Sequence, residues 1–133
     1  MNGLEKTCEF LKTAGTYFLA TVDGDAPKVR PFGTAHIYEG KLYIQTGLKK
    51  EVSRQMLENP KVELSAFNDG VWVRVSAEAV LDESEEAQSS MLEAYPELKS
   101  MYAVGDGNTA VFYLTNAKAT FYSFVSEPEV YEL

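Results

Sequence analysis

The sequence has 133 residues, 20 acidic against 12 basic side chains, a formal net charge of -8 and 45% hydrophobic residues; this size and composition fit one compact domain that buries about two-thirds of its unfolded surface, and exclude a disordered segment. The charge repels nucleic-acid backbones and anionic membranes, so any anion it binds is captured by a local basic pocket working against the global field. The single cysteine, Cys8, and the single histidine, His36, exclude an internal disulfide framework and a Cys/His zinc site.

Leu4, Cys8 and Leu11 recur at helical spacing with Gly15 behind them, which predicts a short opening helix. The same stretch, MNGLEKTCEFLKTAG, lacks the unbroken apolar run of a signal peptide. No segment reaches membrane-spanning length, so cytoplasmic residence is expected. YFLATV, the turn Asp23-Gly24 and the extended PKVRPFGTAHIY then read as a hairpin. After Glu39-Gly40, KLYIQT makes a third consecutive antiparallel strand, with Leu42, Ile44 and Thr46 on one face and Tyr43 and Gln45 on the other.

Past Gly47 the period changes. Val52, Gln55 and Met56 predict a helix from Lys50 to Glu58, stopped by Asn59-Pro60. VELSAF, the turn Asn68-Asp69-Gly70 and VWVRVSAEAVL form the next strand pair. In the second strand Val71, Val73, Val75, Ala77 and Ala79 face one way, and Trp72, Arg74, Ser76 and Glu78 the other.

Asp82 or Ser84 can cap a following helix whose acidic first turn suits the helix dipole. Met91, Leu92, Tyr95, Leu98 and Met101 continue it around Pro96, the methionines as core filler. Asp106-Gly107-Asn108 is a turn. AVFYLT, a break at Asn116-Ala117, KATFYSF and a polar tail from Ser126 complete the chain. Strands without regular βαβ alternation favour a closed or partly open antiparallel barrel with peripheral helices.

The stretch Tyr43 to Val52 carries the strongest chemical signal, a strand ending in Thr46 that passes through Gly47 into a helix with Lys49 and Lys50 at its mouth. Free N–H groups, a hydroxyl and an ammonium can all donate to a phosphate there, charge-assisted bonds contributing about 1.5–3 kcal/mol each and the helix end about 0.3–1 kcal/mol. The glycine spacing is not that of a P-loop. The competing reading is two lysines that merely solvate a helix start. Lys28, Arg30 and Phe32 share one face of an extended segment, where a guanidinium beside an aromatic can flank a planar anion; a surface ion pair is the plainer role for Arg30. Trp72 and Arg74 form a third piece, with core or interface packing as the plainer role for Trp72. His36 on its strand reads as structural, and a proton donor as the alternative.

Four stretches, FLATVDGDAPKVRPFG, KLYIQTGLKKEVSRQMLENPKVELSAF, VWVRVSAEAV and KATFYSF, resemble in order and spacing the short FMN-binding relatives of the pyridoxamine 5'-phosphate oxidase family, over nearly the whole chain. The resemblance implies a mainly β fold, a six-stranded antiparallel split β-barrel with short flanking α-helices, as a single domain over residues 1–133. It implies a homodimer with FMN at the subunit interface. Arg30, Pro31 and Phe32 would line the isoalloxazine edge, and Gln45 and Thr46 would meet the flavin and its ribityl phosphate tail. Lys50, with Lys49 beside it, would hold the phosphate, and Trp72 and Arg74 would come from the other subunit.

The implied function is an oxidoreductase acting on a small molecule, with NAD(P)H or another small redox partner. Since the flavin carries the redox chemistry, no catalytic acid or base is assigned. The alternatives are a flavin-binding or redox-sensing module without turnover, and a deazaflavin- or haem-binding split-barrel relative. True pyridoxamine 5'-phosphate oxidases end in an Arg- and Trp-rich segment that grips the vitamer, whereas this sequence ends SEPEVYEL; oxidation of that vitamer is not expected.

Overall fold

A computed structural model describes residues Met1–Leu133. Helix α1 (Gly3–Ala14) opens on a reciprocal cap, in which the Asn2 side chain accepts from the Glu5 N–H at 2.8 Å while the Glu5 carboxylate accepts from the Asn2 N–H at 3.0 Å. It ends at Gly15, as its sequence predicts. Strands β1 (Tyr17–Asp23) and β2 (Ala26–Phe32) form a hairpin, and so do β3 (His36–Tyr38) and β4 (Lys41–Gly47). Helix α2 (Glu51–Glu58) follows, then β5 (Lys61–Asn68) and β6 (Val71–Asp82). The β5–β6 turn has positive φ at both central residues, Asp69 (52°) and Gly70 (77°), the twist that tight hairpins favour. Helix α3 (Glu85–Ala94), capped by Ser84, leads into a 3-10 turn (Pro96–Ser100), and β7 (Thr109–Ser123) and β8 (Glu129–Glu132) end the chain. None of the helices is long and apolar enough to cross a membrane.

All pairings are antiparallel, in the order β2-β1-β5-β6-β7-β4-β3, with β8 on β7. The class is the expected split barrel; its strand pattern differs from expectation in three places. First, the sheet has eight strands rather than six, because PKVRPFGTAHIY is divided at Gly33–Ala35 and part of the polar tail pairs as β8. Its halves lie at opposite ends of the sheet, since β1 takes β5 as its second neighbour and β4 takes β7. Second, the break at Asn116-Ala117 is a bulge inside one continuous strand. Ser76 pairs with Lys118 and Glu78 with Thr115, so two residues of β7 oppose Ala77 alone, with Asn116 at φ 49°. Third, Met91 is core filler as expected but Met101 is 70% exposed. Pro96 ends the helical periodicity that would have turned Met101 inward.

The alternation of β6 holds: Val73, Val75, Ala77 and Ala79 are buried in the barrel core with Leu19, Leu42, Ile44, Leu64 and Phe112. Cys8 and Leu11 of α1 and Val52 and Met56 of α2 close onto this core. Tyr43 points to the other side of β4, into a smaller cluster with Ala87, Met91 and Val111 beneath α3. There its hydroxyl donates to Asp82 at 2.7 Å. Helix α1 is seated on β8. A Cβ on Gly3 would lie 2.6 Å from the Tyr131 Cβ, and the Lys6 ammonium sits 3.2 Å from Glu129 Oε1 and 4.7 Å from the centre of the Phe121 ring.

Candidate functional site

Where the sheet opens between β2 and β4 lies a cleft of about 340 Å³. Pro31, Phe32, Gly33 and Thr34 form one wall, Gln45, Thr46 and Lys50 its floor and mouth, and Tyr95, Glu97, Leu98, Met101 and Tyr102 the opposite wall. Of the residues singled out in the sequence, the cleft unites Pro31, Phe32, Gln45, Thr46 and Lys50.

The wall at 33–35 is pinned from three sides. Tyr17, wholly buried, donates its hydroxyl to the Thr34 carbonyl at 2.5 Å, and burial pushes its phenol well above the ordinary range. The Thr34 hydroxyl accepts from the Gln45 N–H at 2.9 Å. The Tyr95 hydroxyl bridges the N–H and carbonyl of Ala35, both at 3.0 Å. Gln45 itself is 6% exposed, and neither its Nε2 nor its Oε1 has a partner in the chain. Buried polar atoms almost always pair, and leaving one unpaired costs about 1–3 kcal/mol. An unpaired donor and acceptor on a residue that lines the cleft point to a ligand that offers both.

At the mouth, Lys50 occupies the N-cap of α2 and makes no side-chain capping bond there. Its carbonyl accepts from Ser53 and Arg54 N–H, leaving those of Glu51 and Val52 at the free helix end. The Ser53 hydroxyl donates to the Gly47 carbonyl at 2.8 Å and closes the junction from below. Thr46, Lys50 and this free end lie together at the mouth, where the sequence predicts an anion.

Four predicted residues lie elsewhere. The Arg30 guanidinium reaches across β1, donating to Thr21 Oγ1 and Gln55 Oε1 at 2.7 Å each and to the Leu19 carbonyl at 3.2 Å; burial lowers its pKa. It therefore fixes β2 against β1 and α2, neither lining the cleft nor forming a surface ion pair. The N–H of Lys49 is held by Asn108, and its side chain is exposed outside the cleft. Trp72 stacks on Tyr122 at 5.4 Å and 14°, with Phe124 beside it at 5.1 Å. Arg74 pairs with Glu63 at 2.7 Å, a bond that raises its pKa. His36 hydrogen-bonds Ser90 at 2.7 Å and is not among the cleft residues.

Gly33, Thr34 and the wall from Tyr95 to Tyr102 join the cleft without being singled out for it by the sequence. Its only signal was Pro96, which marks the helix end but not where the next apolar residues turn.

The barrel, open at one seam and holding a polar cleft where a strand becomes a helix, defines a split-barrel protein with a candidate ligand cleft. Residues 4–123 match the family described as Pyridoxamine 5'-phosphate oxidase, and the chain belongs to that family. It is 45% identical to a NimC/NimA family protein from Clostridium acetobutylicum, covering 98% of this chain and 92% of that one at a TM-score of 0.95. Two more distant structures share the fold. A pyridoxamine 5'-phosphate oxidase-related, FMN-binding protein from Nostoc punctiforme is 14% identical, with 98% and 89% of the two chains covered and a TM-score of 0.72. A heme binding protein from Mycobacterium smegmatis is 12% identical, with 99% and 59% covered and a TM-score of 0.74. No curated protein sequence matches the chain.

Proposed function

We propose that this chain is a flavoprotein that holds FMN in the cleft and works as an oxidoreductase on a small molecule, as a cytoplasmic homodimer. The observation that carries the reading is Gln45. Its buried, unpartnered amide offers a donor and an acceptor side by side, and the edge of the flavin ring presents the complementary acceptor and donor groups. Phe32 and Pro31 supply apolar surface for the ring. Thr46, Lys50 and the free N–H groups of α2 receive the phosphate, a local positive site on a chain of net charge -8.

When bound, the flavin supplies the redox chemistry by accepting hydride from a donor such as NAD(P)H and passing electrons to an acceptor. The chain's own residues bind and orient. Tyr17, Thr34 and Tyr95 keep the 33–35 wall in place, while Arg30 holds β2 to its neighbours and so sets where Pro31 and Phe32 stand. A homodimer is supported by the outer sheet face, where Phe67 is 64% exposed opposite Trp72, next to Tyr122 and the 88% exposed Phe124. In that assembly Trp72 and Arg74 reach the partner's flavin, and Lys49 reinforces the phosphate site.

The absorption spectrum of the protein as isolated, followed by chromatography of what it releases on denaturation, tests the cofactor. Oxidised-flavin bands support the reading and a Soret band favours haem. Bleaching by NADH or NADPH at catalytic rates separates an enzyme from a binding module. Lys50→Ala or Thr46→Ala weakens FMN binding about tenfold, the loss of one charge-assisted bond, while Glu86→Ala leaves it unchanged. Equal affinity in all three variants refutes the phosphate site, and a monomer in light scattering at micromolar concentration refutes the shared interface.

A further inference from the structure

The segment Gly47–Lys50 closes a turn of its own, the Lys50 N–H donating to the Gly47 carbonyl at 3.1 Å, but its two middle amides are held from outside. The Leu48 N–H donates to the Asn108 carbonyl at 2.7 Å, and the Lys49 N–H donates to the Asn108 side-chain Oδ1 at 3.0 Å. One residue of the loop before β7 thus clips two successive amides, through its main chain and its side chain. The approach is close: a Cβ on Gly47 would lie 3.1 Å from the Tyr102 hydroxyl and 3.3 Å from Asn108 Oδ1.

Asn108 is itself firmly placed. Asp106 accepts from the N–H groups of Thr109 at 2.6 Å, Ala103 at 3.0 Å and Asn108 at 2.8 Å. Those three bonds hold its carboxyl well below the usual carboxylate range. The Thr109 hydroxyl donates to the Ala103 carbonyl at 2.9 Å, and the Gly105 N–H donates to Gln88 Oε1 of α3 at 2.9 Å. The loop therefore joins two sides of the cleft, the wall that ends at Tyr102 and the mouth that begins at Gly47.

We infer that Asn108 is a positioning residue for the phosphate of the bound ligand: by fixing the Leu48 and Lys49 amides it sets the direction of Lys50 and of the free N–H groups of α2, without touching the ligand itself. This rests on the flavin reading of the cleft. A residue that only stabilised the barrel would affect every ligand of the cleft alike. One that aims the mouth affects the phosphate alone.

Riboflavin, which has the ring and ribityl chain of FMN but no phosphate, separates the two roles. Fluorescence quenching gives the Kd of each ligand for the wild-type chain, Asn108→Ala and Asn108→Ser; the serine variant keeps a polar side chain in the loop but shortens it out of reach of the Lys49 N–H. The preference for FMN over riboflavin is expected to fall about tenfold in both variants, as one charge-assisted phosphate bond is lost, with the riboflavin Kd within about twofold of wild type. If Asn108→Ala does not fold, the serine variant carries the same comparison. A preference that survives in the variants overturns the inference, and so does a parallel loss of both ligands. A wild-type chain with no preference for FMN refutes the phosphate site itself, a result distinct from either.

Discussion

Replacing Gln45 by methionine separates what the residue does for a ligand from what it costs the empty chain. Methionine is unbranched and of similar length, so it can occupy the same space on β4, whose backbone bond to Thr34 remains. The wild-type side chain keeps two polar atoms buried without partners. Counting the cost of one unpaired atom alone, about 1–3 kcal/mol, the ligand-free chain should gain at least that much stability on substitution. Unfolding entropy of about 2.1 cal/mol/K per residue gives about 0.28 kcal/mol/K for a chain of this length, so Tm should rise by about 4–11 °C. Binding should move the opposite way. Two neutral hydrogen bonds to the ring, each worth about 0.5–1.5 kcal/mol net, correspond to a Kd weaker by about five- to 150-fold, for FMN and riboflavin alike. Differential scanning calorimetry of the ligand-free protein and fluorescence titration with both flavins read the two effects. A variant that melts at or below the wild-type temperature and binds FMN unchanged would refute the assignment of Gln45 as the ring-binding residue.

His36 gives the chain a mildly acid-sensitive component. Burial, then the nearby Lys12 charge, lowers its pKa below the ordinary 6.5, so the unfolded chain binds a proton that the folded chain resists. Stability present above pH 6.5 is therefore lost as pH falls below it, by at most about 1.4 kcal/mol per pH unit. His36→Gln should flatten Tm against pH between about 7 and 5 relative to wild type, and an unchanged slope counts against this account. Tyr17→Phe removes the donor to the Thr34 carbonyl and should cost about 1–2 kcal/mol in urea unfolding, with FMN affinity falling as the 33–35 wall loosens; a neutral effect on both would show that the hydroxyl anchors nothing.

Local chemistry was legible in the sequence wherever neighbours along the chain decide it. Gly15 ends α1, the Asp69–Gly70 turn joins β5 to β6, and the Thr46–Gly47–Lys50 junction lies where strand gives way to helix. Partnerships over long separations were not. Nothing in PKVRPFGTAHIY announces that its two halves will stand at opposite ends of the sheet, because that is decided by β5 and β7 far downstream. The face shared by Lys28, Arg30 and Phe32 was read from periodicity, yet Arg30 turns to Gln55, an acceptor on another element whose proximity no local pattern encodes. Tyr95, Leu98 and Met101 have the composition of core. Only the fold shows them on a cleft wall.

The seat of α1 has a temporal consequence. Gly3 lies flat against Tyr131, and Lys6 bonds Glu129 across 123 residues of chain, so the first helix is seated by partners distant in sequence. Leu4, Cys8 and Leu11 close onto a core drawn from strands spread along the whole chain, so their apolar stripe is covered only once those strands have paired. Docking of the leading helix onto β8 is consequently a late event in folding, because a contact of such sequence separation forms only after the strands between its partners have come together.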